Sequence, residues 1–284
     1  MNAISFSLWG RNPVYLDGAL RNAEIAALKY PNWKCLFYIT HTVPEFYTAR
    51  LQDYENVIII QTNSPYGDSD SRNMFWRFLA INNTSYERVI IRDTDSPITD
   101  REVQAVEQWI ISDLDVHLMR DHPYHCTLVM GGMWGAKTGK LKGLGDKIKA
   151  FNSPPTKGQD QLFLREFLIF NVLENDITLL THDEFFDGLN FPSKRSDNAE
   201  DKFYVPSHFG PDLENNNTVC KFQKIVQEKK MSLIELNTAW RKNRFQFENT
   251  GLDNNSELCA YFNTYNQMIE KLRLDLNRIR HQGQ

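Results

Sequence analysis

The chain has 284 residues, 41% of them hydrophobic, 12% aromatic and 24% charged, with Gly 14 and Pro 11, which fits a globular protein with ample core and excludes a fibre or a disordered chain. A formal charge of -4 and the lack of any basic run weigh against a nucleic-acid partner. Cys35, Cys126, Cys220 and Cys259 form no CxxC pair, and neither a basic-then-apolar leader nor a run of 18 apolar residues occurs, so the expectation is a cytoplasmic protein, or one peripheral to the inner membrane, without a transmembrane segment.

In chain order, residues 4–8 read as a strand and 15–28 as a helix that Tyr30-Pro31 ends. Then follow a strand at 35–39, a helix at 44–51, a strand at 57–60, a helix at 74–81, a strand at 88–91 and a helix at 100–111. Strands at 116–119, 127–130 and 177–180 complete a set of seven. The alternation, with a strand as apolar as Val57-Ile58-Ile59-Ile60, predicts an α/β fold: a mainly parallel sheet flanked by helices on both faces. Ligands of such sheets bind beyond the carboxyl ends of the strands. Thr99 is placed to cap the helix after the fourth strand while Glu102 reaches back to it, which makes 93–97 the loop at that edge. From 188 to 217 the pattern dissolves into Asn, Asp, Pro and Ser, giving a boundary near 210. The expected organisation is a catalytic domain over 1–210 and a helical C-terminal extension over 211–284, in which a helix capped by Ser256 packs on the sheet domain or on a second subunit of a homodimer.

Asp-x-Asp occurs at Asp68/Asp70, Asp93/Asp95 and Asp113/Asp115, and only the second pair follows directly on a buried strand. Two carboxylates in a strand-end loop can converge on one hard cation, Mn2+ or Mg2+, which in turn neutralises a diphosphate. Arg92 beside them would keep both ionised; a capped turn is the plainer alternative. The end of the first strand at Leu8-Trp9-Gly10, with Tyr15 opening the first helix, is where a doubly wound sheet would recognise a nucleotide base. Gly132 lets backbone approach a sugar closely and Trp134 offers it a stacking face, unless Trp134 is a core residue. Asp160-Gln161 opens an apolar helix and could point into the site, or Asp160 could merely cap it. His122 is expected to meet the acceptor, with Asp121 as an alternative general base.

Phe75-Trp76-Arg77-Phe78-Leu79-Ala80, a strand, and Arg92-Asp93-Thr94-Asp95-Ser96 together resemble the donor-binding region of GT-A-fold glycosyltransferases. The resemblance continues through Met130-Gly131-Gly132-Met133-Trp134-Gly135 to Gly158-Gln159-Asp160-Gln161 and covers about residues 4–205, in the manner of poorly characterised bacterial and viral glycosyltransferase-like proteins. It implies a GT-A, Rossmann-like fold, a nucleotide-sugar donor (a UDP-sugar favoured over a GDP-sugar), a glycan or glycolipid acceptor and a place in polysaccharide biosynthesis. It also implies that Arg77 holds the donor, that Asp93 and Asp95 bind the metal with His182 as third ligand, and that Asp160 and Gln161 lie near the anomeric carbon; retention or inversion stays open. A haloacid-dehalogenase-like phosphohydrolase with Asp93 as nucleophile is the rival, disfavoured by Pro97 and by the position after a fourth strand. The non-enzymatic rival is a nucleotide- or carbohydrate-binding protein using Trp9, Trp76 and Trp134.

Overall fold

The structure, a computed structural model, describes residues 1–121, 129–151, 155, 158–175, 177–183 and 188–193. The strands β1 (Asn2–Leu8), β2 (Trp33–Ile39), β3 (Val57–Gln61), β4 (Arg88–Arg92), β5 (Val116–Arg120), β6 (Met133–Lys137) and β7 (Leu179–Asp183) form one sheet in the order β3-β2-β1-β4-β6-β5-β7. All pair in parallel except β6, which runs antiparallel between β4 and β5. Around it lie α1 (Pro13–Lys29), α2 (Glu45–Gln52), α3 (Asp100–Ser112), α4 (Leu144–Ala150), α5 (Gln159–Asn175) and a 3-10 segment, Ser71–Asn82. This is the expected α/β, Rossmann-like arrangement of a mostly parallel sheet between helices.

The period-two pattern of β1 shows how the layers are built. Ile4, Phe6 and Leu8 face one way, into a core shared with Leu16, Ala19 and Ala23 of α1 and Val106 and Trp109 of α3. Ala3 belongs to the opposite core, with Phe75, Phe78 and Ile81 of the 3-10 segment and Phe163, Leu164 and Phe167 of α5. Ser5 and Ser7 are buried on that second side because the segment's backbone needs them: Ser5 Oγ donates to the Arg77 carbonyl (2.7 Å), and Ser7 Oγ accepts from the Arg77 amide (2.9 Å). Sequence spacing predicts an ordinary helix at 74–81; the observed three-residue turn sets Phe75, Phe78 and Ile81 on one face at intervals of three.

Two further expectations are corrected. The sixth strand among the described residues is β6; of the expected strand at 127–130, positions 127 and 128 lie outside the described residues and 129–130 are not in a strand. Thr99 does cap α3, its Oγ1 accepting from the Glu102 amide (3.3 Å), but the Glu102 side chain does not return to the cap and instead pairs with Arg92 (2.9 Å) inside the core. The boundary near 210, the helix after Ser256, and His122 and its neighbours lie outside the described residues. Among those described, no helix is long and apolar enough to cross a membrane.

Candidate active site

The loop after β4, which carries Asp93 and Asp95, is held from three sides. Asn22 of α1 is fully buried and bonds it three times: its amide donates to the carbonyls of Thr94 (3.0 Å) and Ser96 (3.2 Å), and its oxygen accepts from the Ile98 amide (3.1 Å). One helical turn earlier Gly18 lies so close that a β-carbon there would overlap the Thr94 carbonyl. From the sheet side, Arg92 donates to the Gly132 carbonyl (2.6 Å) and Ser96 carbonyl (3.4 Å). A β-carbon at Gly132 would overlap the Asp93 carboxylate, and one at Gly131 would overlap that of Asp160.

Facing these glycines from the 3-10 segment is Arg77, almost wholly buried. Its guanidinium pairs with Asp93 and with Asp160 (3.3 Å) and donates to the Arg92 carbonyl (3.3 Å). Three elements far apart in sequence thus converge on one guanidinium. The Asp93 side chain remains 45% exposed, whereas Asp160 is 4% exposed. Burial pushes the Asp160 carboxyl up and Arg77 pulls it back. Asp95 is pushed up to about 6, first by burial and then by the charge of Asp93, with Arg77 opposing. Burial, followed by Asp95 and Asp93, also raises the Tyr15 phenol, which places that ring beside the pair. Asp93 and Asp160 therefore share the Arg77 guanidinium, and Asp95 feels the charge of Arg77 and of Arg92, which is itself paired with Glu102.

That surplus of negative charge, made of hard oxygen donors, fits a divalent cation. Among the described residues no group of three His, Cys, Asp or Glu could ligate one together, so any ion there would take its remaining ligands from water or from a ligand of its own.

Next along the edge, Trp9 and Tyr15 stack on each other, centroids 6.4 Å apart and 14° from parallel. Gly10, at φ 71°, donates its amide to Thr42 Oγ1 (2.8 Å). Only the backbone of Leu8 reaches this edge, since its side chain is in the core. Beyond Gly10 opens a cavity of about 400 Å³ whose lining includes Arg11, His41, Glu45 and Gln61. Sequence reasoning missed these residues, although His41 follows β2 and Gln61 ends β3, at the ligand-binding edge.

Other expected site residues are placed elsewhere. Arg92 braces the loop and is fully buried, so it is not positioned to meet a donor. Asp121 is buried against Arg101 with both carboxylate oxygens engaged (3.0 and 3.1 Å), which commits it to that pair. His182 is inside β7, Nδ1 bonded to His117 (2.8 Å) and Nε2 to Gln108 (2.8 Å), so neither nitrogen is available to a metal. Trp134 is 0% exposed and edge-on to Phe78 at 5.8 Å, a core residue with no face for a sugar. Gln161 is half-buried in the first turn of α5. The other acidic pairs are structural: Asp70 caps the 3-10 segment and binds Arg72, Asp113 meets Arg88 and Lys137, and Asp115 bonds Thr178.

No family model matches the sequence, and no curated protein does. Among solved structures, S. aureus TarS 1-349 is 13% identical with a TM-score of 0.42, over 64% of this chain and 58% of that one. S. aureus TarS is 14% identical with a TM-score of 0.42, over 64% and 35%. The chain thus spans less than two thirds of the length of these two proteins. The mannosyltransferase PcManGT from Pyrobaculum calidifontis, solved in complex with GDP-Man and Mn2+, is 10% identical with a TM-score of 0.44, over 98% and 86%. These likenesses are too remote to bring an activity across to this chain.

Proposed function

We propose that the chain is a glycosyltransferase that moves a sugar from a nucleoside diphosphate donor to a hydroxyl acceptor, with a divalent cation held at Asp93 and Asp95. The observation that carries this reading is the convergence of Asp93 and Asp160 on Arg77, under Gly131 and Gly132, at the carboxyl edge of the sheet, with Asp95 two residues on in the same loop. A bound Mn2+ or Mg2+ would neutralise the diphosphate leaving group.

The protein's own residues supply the rest. Arg77 holds the two carboxylates at fixed separation and limits their repulsion, so the site is organised before a ligand enters. The close approach of Gly131 and Gly132 leaves no side chain between the carboxylates and a sugar ring. Asp160, paired and buried, suits a fixed negative charge that stabilises positive charge developing at the anomeric carbon better than it suits a base open to solvent.

The test is calorimetry of nucleoside diphosphates on the full chain with Mn2+. Wild-type protein should bind in Mn2+ and lose at least tenfold in affinity with chelator or with Asp95→Asn. Binding indifferent to both changes would overturn the metal assignment, and no nucleotide binding under any condition would overturn the proposal.

A further inference from the structure

The cavity beside Gly10 has the chemistry to choose the donor's base. We infer that it is a guanine pocket, with Glu45 accepting from the base's N1–H and 2-amino group and Arg11 donating to its O6 and N7, so that the donor is a guanosine diphosphate sugar; this rests on the glycosyltransferase reading above.

Position comes first. The cavity opens over the ends of β2 and β3, and the sheet order places β2 beside β1 and β1 beside β4. With neighbouring strands about 4.8 Å apart, the end of β2 lies about 10 Å across the sheet from the end of β4, where Asp93 stands. A nucleotide with its diphosphate at Asp93 and Asp95 would cross the end of β1, at Trp9 and Gly10, and put its base in the cavity. A volume of about 400 Å³ falls within the range of small-molecule sites. Val43 and Pro44 give it an apolar wall for a flat ring.

Chemistry then decides the base. Guanine presents two adjacent acceptors, O6 and N7, that match an arginine fork, and two adjacent N–H donors that match both oxygens of a carboxylate. Uracil offers one N–H between two carbonyl oxygens, so it can meet one carboxylate oxygen and leaves the other unmatched. The cavity holds one arginine and one carboxylate, and among the described residues neither Arg11 nor Glu45 has a hydrogen-bond or ion-pair partner, including each other. Both side chains are therefore available to a ligand.

The test is calorimetry of the full chain with GDP, UDP and inosine diphosphate in Mn2+. GDP should bind at least tenfold more tightly than UDP. Inosine diphosphate, which lacks the 2-amino group, should lose most of that preference, a readout that needs no variant and no assumption about folding. Glu45→Gln should bring GDP and UDP to within about threefold of each other without weakening UDP. Equal or tighter binding of UDP, or a GDP preference untouched by Glu45→Gln and by the missing amino group, would overturn the inference and leave the transferase reading standing. Failure of all three nucleotides would overturn both.

Discussion

Asn22 shows how much of the site depends on a residue that touches no reacting atom. Replacing it with Ala would leave the Thr94 and Ser96 carbonyls and the Ile98 amide without these bonds, at a cost of about 2–3 kcal/mol by the usual penalty for unmet buried groups. Urea denaturation should show that loss, and Mn2+–nucleotide affinity should fall with it because the Asp93–Asp95 loop is released. Asn22→Asp keeps the acceptor for Ile98 but not the two donors, and should fall short of wild type on both measures. Gly132→Ala tests the opposite wall. The added methyl group displaces the Asp93 carboxylate and meets the Asp93 backbone amide at 2.8 Å, so nucleotide affinity should drop at least tenfold and the thermal midpoint should fall with it. Unchanged affinity in a folded Gly132→Ala protein would mean that Asp93 is not part of the ligand's contact surface. The need for close approach at Gly132 was legible in the sequence. The part played by Asn22 was not, because an Asn on a helix reads as surface until its burial is seen.

At the scale of elements, α3, β5 and β7 are tied by a polar chain in which buried His117 stacks on Trp109 and bonds buried His182, which bonds Gln108 at the surface. Burial lowers the His182 imidazole to about 4 and holds His117 well below its usual range, the neighbouring His182 adding to the effect. A folded-state pKa depressed below the unfolded value of about 6.5 contributes stability that is present above that value and is lost as pH falls through the folded pKa. Unfolding free energy should therefore decline between about pH 6.5 and 4, by on the order of 3 kcal/mol for His182. The slope should be shallower in His182→Gln, and an equal slope would show that this chain is not the source. Buried parallel strands announce themselves as continuous apolar runs, so the alternation from β1 to α3 was visible. Met133-Trp134-Gly135-Ala136-Lys137 concealed β6, because Gly135 interrupts any strand signal. The glycine is there because a side chain would meet Ile90 and the Val89 carbonyl at 2.9 Å and Trp109 at 3.2 Å.

Across the molecule, Arg92–Glu102, Arg101–Asp121 and Arg120–Asp183 are ion pairs with both members buried, and all three lie toward the sheet edge that carries the site. Removing one member of such a pair strands a charge, so Arg101→Leu should cost about 3–5 kcal/mol in urea, and Arg101→Leu with Asp121→Leu should cost less than the single change. Asp121→Asn should likewise reduce stability and leave turnover per folded molecule intact; a fall in turnover at full stability would restore Asp121 as a general base. These carboxylates could not be sorted from the sequence, since Asp121, Asp160 and Asp183 all stand near strand or helix ends and differ only in which arginine the fold brings to each. The central claim is that the edge of the sheet at Asp93 and Asp95 holds the metal and diphosphate of a sugar donor. It is tested most directly by an anomalous-difference map at the manganese edge from crystals of the full chain grown with Mn2+ and a nucleoside diphosphate. The account predicts one strong peak within coordination distance of the Asp95 carboxylate, bridged to the diphosphate; a nucleotide bound with its diphosphate away from Asp93 and Asp95, or a metal peak elsewhere, would contradict it.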